Sequence, residues 1–212
     1  MHLRTAIVCT LITTGLLWTC ARQPVEEIRE VTPYSIDDFL NVTNYRGLSF
    51  SPDRSKILVS SDESGVYNAY AIPAEGGEPA QLTSSTTDSV FVEEFFPDDE
   101  RFLFRGDRGG DELDHLFVQE LDGSVVDLTP GEDLKAALFD FAHDGKSFFV
   151  VSNERDPRFF DVYEYSVDGY ERTMIFQNDG GYDLGDISPD KRFLALIKTR
   201  TEHDSDIFLF DR

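Results

Sequence analysis

The sequence predicts an all-β protein assembled from repeated four-stranded antiparallel sheets. Three observations predict it. An Asp-containing turn recurs at Asp53, Asp98, Asp144 and Asp190, at spacings of 45, 46 and 46 residues. Each turn is followed by an apolar run, a polar loop, an aromatic strand with period-two alternation and a second tight turn. No segment beyond the first twenty residues carries a 3.6-residue apolar stripe with helix caps. Constant self-similarity at this period marks a repeat architecture, and four short strands per 46 or so residues is the arithmetic of a β-propeller blade.

The elements follow in order within each unit. The first strand reads "GLSF", "SVFVEEFF", "ALFDF" and "DLGDI" in the four units. In the turn after it, Pro52, Pro97 and Pro189 preset φ, and the aspartate side chain caps turn amides. The second strand covers residues 57–61, 102–105, 148–152 and 193–197. Polar loops such as "DESGV", "DRGGDELD" and "NERDPRFF" lead to the third strand, "YNAYAI", "HLFVQEL", "DVYEYSV" and "DIFLFDR". β-branched and aromatic residues in alternation suit a pleated, half-buried surface. A short fourth strand ends "AQLT", "VDLT" or "TMIF" in the first three units, and the fourth unit reaches Arg212 on its aromatic strand. About 3.7 blades are thus expected, fewer than the four to eight of a closed propeller. Because an unclosed propeller exposes a long strand edge, the sequence is expected to be a fragment of a larger protein or a truncated product.

Charge and cysteine content bound the function. Asp and Glu total 41 against 19 Lys and Arg, a net charge of −22. No basic stripe for phosphates can form, so a nucleic-acid partner is excluded, and so is docking of the folded part on an anionic membrane. "MHLR" followed by the uncharged "TAIVCTLITTGLLWT" reads as a signal peptide over residues 1–20. It ends in Leu17-Trp18-Thr19-Cys20, which resembles a bacterial lipobox with Cys20 as the lipidated mature N-terminus; cleavage after Ala21 is the alternative. Export to the periplasm, with membrane attachment only through that anchor, is the expectation. Cys9 and Cys20 are the only cysteines, so the remaining chain has no disulfide, thiol nucleophile or Cys-based metal site. Residues 21–46 form a lead-in segment and residues 47–212 the partial propeller.

The repeat (Ser-Pro-Asp, an apolar strand, an aromatic strand, a Gly-containing turn and a Leu-Thr ending) resembles the WD40-like or PD40 propeller repeat, as in TolB-type propellers. The stretches "GGDELDHLFVQELDGSVVDLTPGE" and "HDGKSFFVVSNERDPRFFDVYEY" are more similar to the N-terminal propeller of the prolyl oligopeptidase family of serine peptidases. The entry stretch "YSIDDFLNVTNYRGLSFSPD" resembles that family too. The resemblance implies a non-catalytic propeller that gates peptide access to a C-terminal α/β-hydrolase domain. It implies no cofactor, and no catalytic residue here, because the family's G-x-S-x-G serine elbow does not occur in this sequence. A TolB-like envelope scaffold and a truncated remnant are the alternatives.

Candidate sites are few. Glu93 and Glu94, adjacent on a first strand, are unexpected from strand propensity. Dipeptidyl peptidases of the family bind a substrate's free amine with a propeller Glu pair, so the resemblance implies a substrate-amine contact here. Ser188-Pro189-Asp190-Lys191 matches S-x-x-K, but Ser51-Pro52-Asp53-Arg54 stands at the same place in the repeat, which makes it turn punctuation. Gly145-Lys146-Ser147 lacks the earlier glycine of a phosphate loop. Asp107, Asp111, Glu112 and Asp114 do not follow the order of an EF-hand, and a solvated loop is expected. His115, His143 and His203 have no partner at nucleophile or metal spacing. Asn41-Val42-Thr43 is a glycosylation sequon, without consequence if the source is bacterial, as the lipobox suggests. No metal site is expected.

Overall fold

A computed structural model of the protein describes residue 31 and residues 33–212. The signal peptide, Cys20 and residues 21–30 of the lead-in lie outside the described residues. The chain divides into two units, residues 1–41 and 42–212. In the first, a five-residue helix α1 (Ile36–Leu40) starts at a capping box that the sequence reading missed. Ser35 Oγ accepts from the Asp38 amide at 3.2 Å, and Asp38 Oδ2 accepts from the Ser35 amide at 2.7 Å.

The second unit is four antiparallel sheets in sequence order. Sheet 1 holds β1 (Tyr45–Phe50), β2 (Lys56–Ser61), β3 (Asn68–Pro73) and β4 (Ala80–Gln81). Sheet 2 holds β5 (Phe91–Phe95), β6 (Phe102–Gly106), β7 (His115–Gln119) and β8 (Val125–Asp127). Sheet 3 holds β9 (Ala136–Phe141), β10 (Ser147–Asp156), β11 (Phe159–Ser166) and β12 (Arg172–Phe176). Sheet 4 has three strands, β13 (Asp183–Ile187), β14 (Phe193–Thr201) and β15 (Asp204–Asp211). Each strand pairs with its sequence neighbour, as a propeller blade requires. One expected loop is strand instead. "NERDPRFF" is absorbed into β10 and β11, which pair Asp156 with Phe159 and leave Pro157 and Arg158 as a two-residue turn. Charged residues at the exposed end of a hairpin read as loop in a sequence, yet its backbone pairs regardless of their polarity.

The cores lie between sheets rather than within them. Phe102 and Phe104 of β6 pack with Leu58, Ala69 and Val92, whereas Leu103 between them packs with Phe148, Val150 and Tyr165 of sheet 3. The two faces of one strand therefore serve two different cores, the consequence of period-two alternation. Sheet 3 repeats the arrangement: Tyr163 and Tyr165 face sheet 2, and Val162 faces Leu194 and Leu196 of sheet 4.

The repeated turn works as the sequence suggests, with one substitution. Ser51 Oγ donates to Asp53 Oδ1 at 2.7 Å, which also accepts the Ser55 amide at 2.9 Å; the Ser51 hydroxyl in turn accepts the Lys56 amide at 3.0 Å. Ser188 and Asp190 reproduce this hub with the amides of Arg192 and Phe193, at 3.2 and 2.8 Å. Asp144 accepts the Lys146 amide at 3.0 Å without a serine, because Ala142 stands in its place. In the second unit the capping role passes from Asp98 to Asp99, whose Oδ1 accepts the Arg101 amide at 2.9 Å. The residue after the aspartate has positive φ in the other three turns (Arg54, Gly145, Lys191), but Asp99 does not, so this turn is built differently.

These bonds favour ionised carboxylates. The Ser55 amide, with the Ser51 and Ser55 hydroxyls, pulls the Asp53 carboxyl down to about 2; the Lys146 amide and the Lys191 ammonium lower Asp144, and the Ser188 hydroxyl and Arg192 amide lower Asp190. A carboxyl with a lowered folded pKa binds fewer protons folded than unfolded, so its contribution is present above the unfolded value near 4 and is lost as pH falls toward 2. The melting temperature is expected to drop between pH 4 and pH 2, and Asp53→Asn to flatten part of that drop, as read by circular dichroism.

Candidate functional site

The site grows from the first strand of each sheet. β5 lies directly against sheet 1: the amides of Val92 and Phe95 donate to Ser60 Oγ and Ser49 Oγ at 2.8 and 3.1 Å. Between those amides Glu93 and Glu94 together oppose one residue of β6, because Val92 pairs with Phe104 and Phe95 with Phe102. That is a β-bulge, and it re-aims the side chains it carries. A bulge recurs at the same repeat position in every first strand, around Gly47–Leu48, Phe139 and Gly185. Gly47 is needed on its own account. Its φ is +68°, and a Cβ there would stand 2.9 Å from both Cγ2 and the carbonyl oxygen of Val92.

Four residues before the turn aspartate, at or just after the bulge, stand Ser49, Glu94, Asp140 and Asp186 in the four sheets, so three successive blades carry a carboxylate at one repeat position. Asp140 and Asp186 line one cavity of about 180 Å³ together with Phe141 and Lys191. Glu93 and Glu94 line a neighbouring open groove of about 640 Å³ with Ser49 and Arg54. Burial, then the nearby charges of Asp140 and Glu93, push the Glu94 carboxyl up. Asp140 and Asp186 escaped the sequence reading, although the 46-residue step from Glu94 leads to both.

The two glutamates have different roles. Arg105 Nε donates to Glu93, and Arg105 Nη1 donates to Asp114 Oδ2 at 2.8 Å. Glu93 is therefore the counter-ion of a half-buried arginine. Glu94 has no hydrogen-bond partner among the described residues, which leaves it as the group of the pair able to meet a cation. A rim carrying Glu94, Asp140 and Asp186 focuses negative potential on that side, favouring amines and repelling anions.

The remaining candidates are structural. In "DRGGDELDH", Asp107 accepts the Glu112 amide at 3.0 Å and Asp111 the Leu113 amide at 2.9 Å, so the acids cap their own loop. Buried His115 has a carboxylate beside it that the sequence spacing does not suggest: Nδ1 lies 3.1 Å from Asp127 Oδ2. The pair ties β7 to the end of β8, as does the 3.0 Å bond from the Leu116 amide to Thr129 Oγ1. Ser188 and Lys191 of the S-x-x-K match are occupied by the turn, Lys191 reaching Asp144 at 3.0 Å.

Fold and rim define a protein of the β-propeller class. Among curated proteins, the chain is 29% identical over 146 residues to dipeptidyl aminopeptidase BIII of Pseudoxanthomonas mexicana, covering 61% of this chain and 20% of that protein. Among solved structures, TolB from Acinetobacter baumannii matches with a TM-score of 0.56 and 19% identity, over 79% of this chain and 41% of that one. A prolyl endopeptidase matches with a TM-score of 0.59 and 14% identity, over 78% and 26% of the two chains. Acylaminoacyl peptidase of Pyrococcus horikoshii matches at 0.51 and 15%, over 79% and 31%. No family model matches the chain. The chain is thus similar to TolB propellers and to peptidases of the prolyl oligopeptidase, dipeptidyl aminopeptidase and acylaminoacyl peptidase kinds, and spans about a fifth of the curated relative's length.

Because the folded pKa of Glu94 is raised, folding binds its proton more tightly than the unfolded chain does, and stability falls as pH rises through that range. Glu94→Gln is expected to raise the urea midpoint at pH 7 and to remove this part of the pH slope. A lowered midpoint at pH 7 would show Glu94 to be held by a partner.

Proposed function

We propose that this chain is the substrate-gating propeller portion of an exported serine peptidase of the prolyl oligopeptidase family that acts on peptides. Catalysis belongs to an α/β-hydrolase domain of the same protein. The observation that carries this reading is the 29% identity to a dipeptidyl aminopeptidase over 146 residues. It exceeds the 10–22% identity of the solved neighbours that share the fold, so it reports more than propeller geometry. The carboxylate rim supports it chemically: a free α-amine is the cation that a peptide with an unblocked N-terminus brings, and Glu94, without a hydrogen-bond partner among the described residues, is the carboxylate that would receive it. Export through the leader, with lipidation at Cys20, completes the proposal and places the enzyme in the periplasm. A TolB-like scaffold is the second reading, favoured by the likeness to TolB itself.

The reading frame beyond codon 212 is expected to encode further blades and a G-x-S-x-G elbow. The encoded protein should hydrolyse dipeptidyl p-nitroanilides. Glu94→Gln should then raise KM for substrates with a free amine by roughly tenfold at unchanged kcat, the scale of one charge-assisted contact. A frame that closes after blades alone, with a product that turns over no peptide, would leave the scaffold reading standing.

A further inference from the structure

One repeated cross-strand pair changes size between the first two blades. Asn68 pairs with Ser61 as His115 pairs with Gly106, and 106 − 61 = 45 is also the step from Asp53 to Asp98. The two blades are therefore in register, and the Ala71–Ala80 pair of sheet 1 stands where sheet 2 has Val118 and Val126. Val118 is buried in the core shared with sheet 3. The alanines leave the equivalent space between sheets 1 and 2 unfilled: a cavity of about 340 Å³ lies there, against Phe95 and Phe102 of sheet 2. Both sheets have all four strands, so the walls owe nothing to β13, β14 or β15.

The cavity combines an apolar floor with one polar point. Phe95 and Phe102 are buried and meet edge to face, ring centroids 6.1 Å apart. Gln119 pairs with Phe102, shares its face and is only 8% exposed. Its Nε2 donates to the Ser124 carbonyl at 3.4 Å, and its Oε1 has no hydrogen-bond partner among the described residues. None of their sealed side-chain oxygens or nitrogens lacks a partner, so this oxygen opens onto free space. The charged groups of the wall are Lys56, Glu78, Glu100 and Glu120. Lys56 is spent on Glu100, reaching both carboxylate oxygens at 2.6 and 2.7 Å, which leaves Glu78 and Glu120 as uncompensated negative charge. A concave, mostly apolar space with a few convergent polar groups is the usual form of a small-molecule site. A free acceptor beside an acidic wall suits a positively charged donor. We propose that this space between the first two blades is a binding site for a small amphipathic amine. Its aromatic or branched aliphatic group sits on Phe95 and Phe102, and its ammonium donates to Gln119 Oε1. A carboxylate head would instead meet Glu78 and Glu120 as like charges. The inference does not rest on the peptidase reading, whose amine contact is Glu94 on the rim.

The probe is 2-phenylethylammonium, titrated into the full chain and followed by calorimetry and by amide chemical shifts. Saturable binding is expected, with shifts centred on β6 and β7, and 3-phenylpropionate should bind roughly tenfold more weakly or worse. Ala71→Leu, which fills the cavity, should weaken the ammonium by a similar factor. Gln119→Met keeps the length of the side chain and removes the acceptor, and should weaken it roughly tenfold, the scale of one charge-assisted hydrogen bond. It keeps the test alive where Ala71→Leu fails to fold. Glu94→Gln should bind the probe as the parent chain does. Absence of saturable binding would overturn the proposal, as would equal binding of the carboxylate or unchanged affinity in Gln119→Met. Loss of binding in Glu94→Gln alone would place the amine on the rim, overturning the cavity site while leaving the peptidase reading intact.

Discussion

The contact between Phe96 of sheet 2 and Phe148 of sheet 3, edge to face at 5.8 Å, shows the constraint on which the rest of the structure depends. Phe148 stacks on Tyr165 at 5.3 Å, Phe141 closes on Phe96 at 5.3 Å, and the Arg101 guanidinium lies 4.3 Å from the Phe96 ring centroid. Each aromatic pair contributes about 0.5–1.5 kcal/mol beyond its buried area. None of these residues can be buried within its own sheet, since a single sheet has no interior. Sheets 2 and 3 therefore each have a neighbour on both faces, which is why apolar residues fill both sides of β6 and β10. Arg101 also donates to Tyr170 Oη at 2.7 Å and to the Val167 carbonyl at 3.2 Å, so a polar seam runs along the apolar one.

Much of this was legible in the sequence because it repeats. The four turns, the strand order and the sheet count follow from a 46-residue period and from the opposite preferences of Pro-Asp and of β-branched or aromatic residues. What stayed hidden has physical causes. The hairpin at Asp156–Phe159 is charged, and polarity masks backbone pairing. The shift from Asp98 to Asp99 is a choice between adjacent aspartates that only turn geometry makes. The carboxylate rim was half visible: Glu93 and Glu94 drew attention by adjacency, but Asp140 and Asp186 are single acids in an acidic chain. It takes the bulge at each first strand to bring them to one position, and the Arg105 contact to remove Glu93 from the exposed set.

The carboxylate rim acts through charge at a distance. It arises from the repeat itself: one repeated position is acidic in three successive blades, at Glu94, Asp140 and Asp186, and their summed field favours cations on that side.

The central claim is that the cores belong to pairs of sheets. The most direct test is Phe148→Ala followed by native-state hydrogen exchange. A buried Phe→Ala change costs about 3–5 kcal/mol. Protection is expected to fall by a comparable amount in both partners of the shared core, at Leu103 and Leu116 of sheet 2 as well as at Val150 and Tyr165 of sheet 3. Loss confined to sheet 3, with sheet 2 protected as before, would contradict the account.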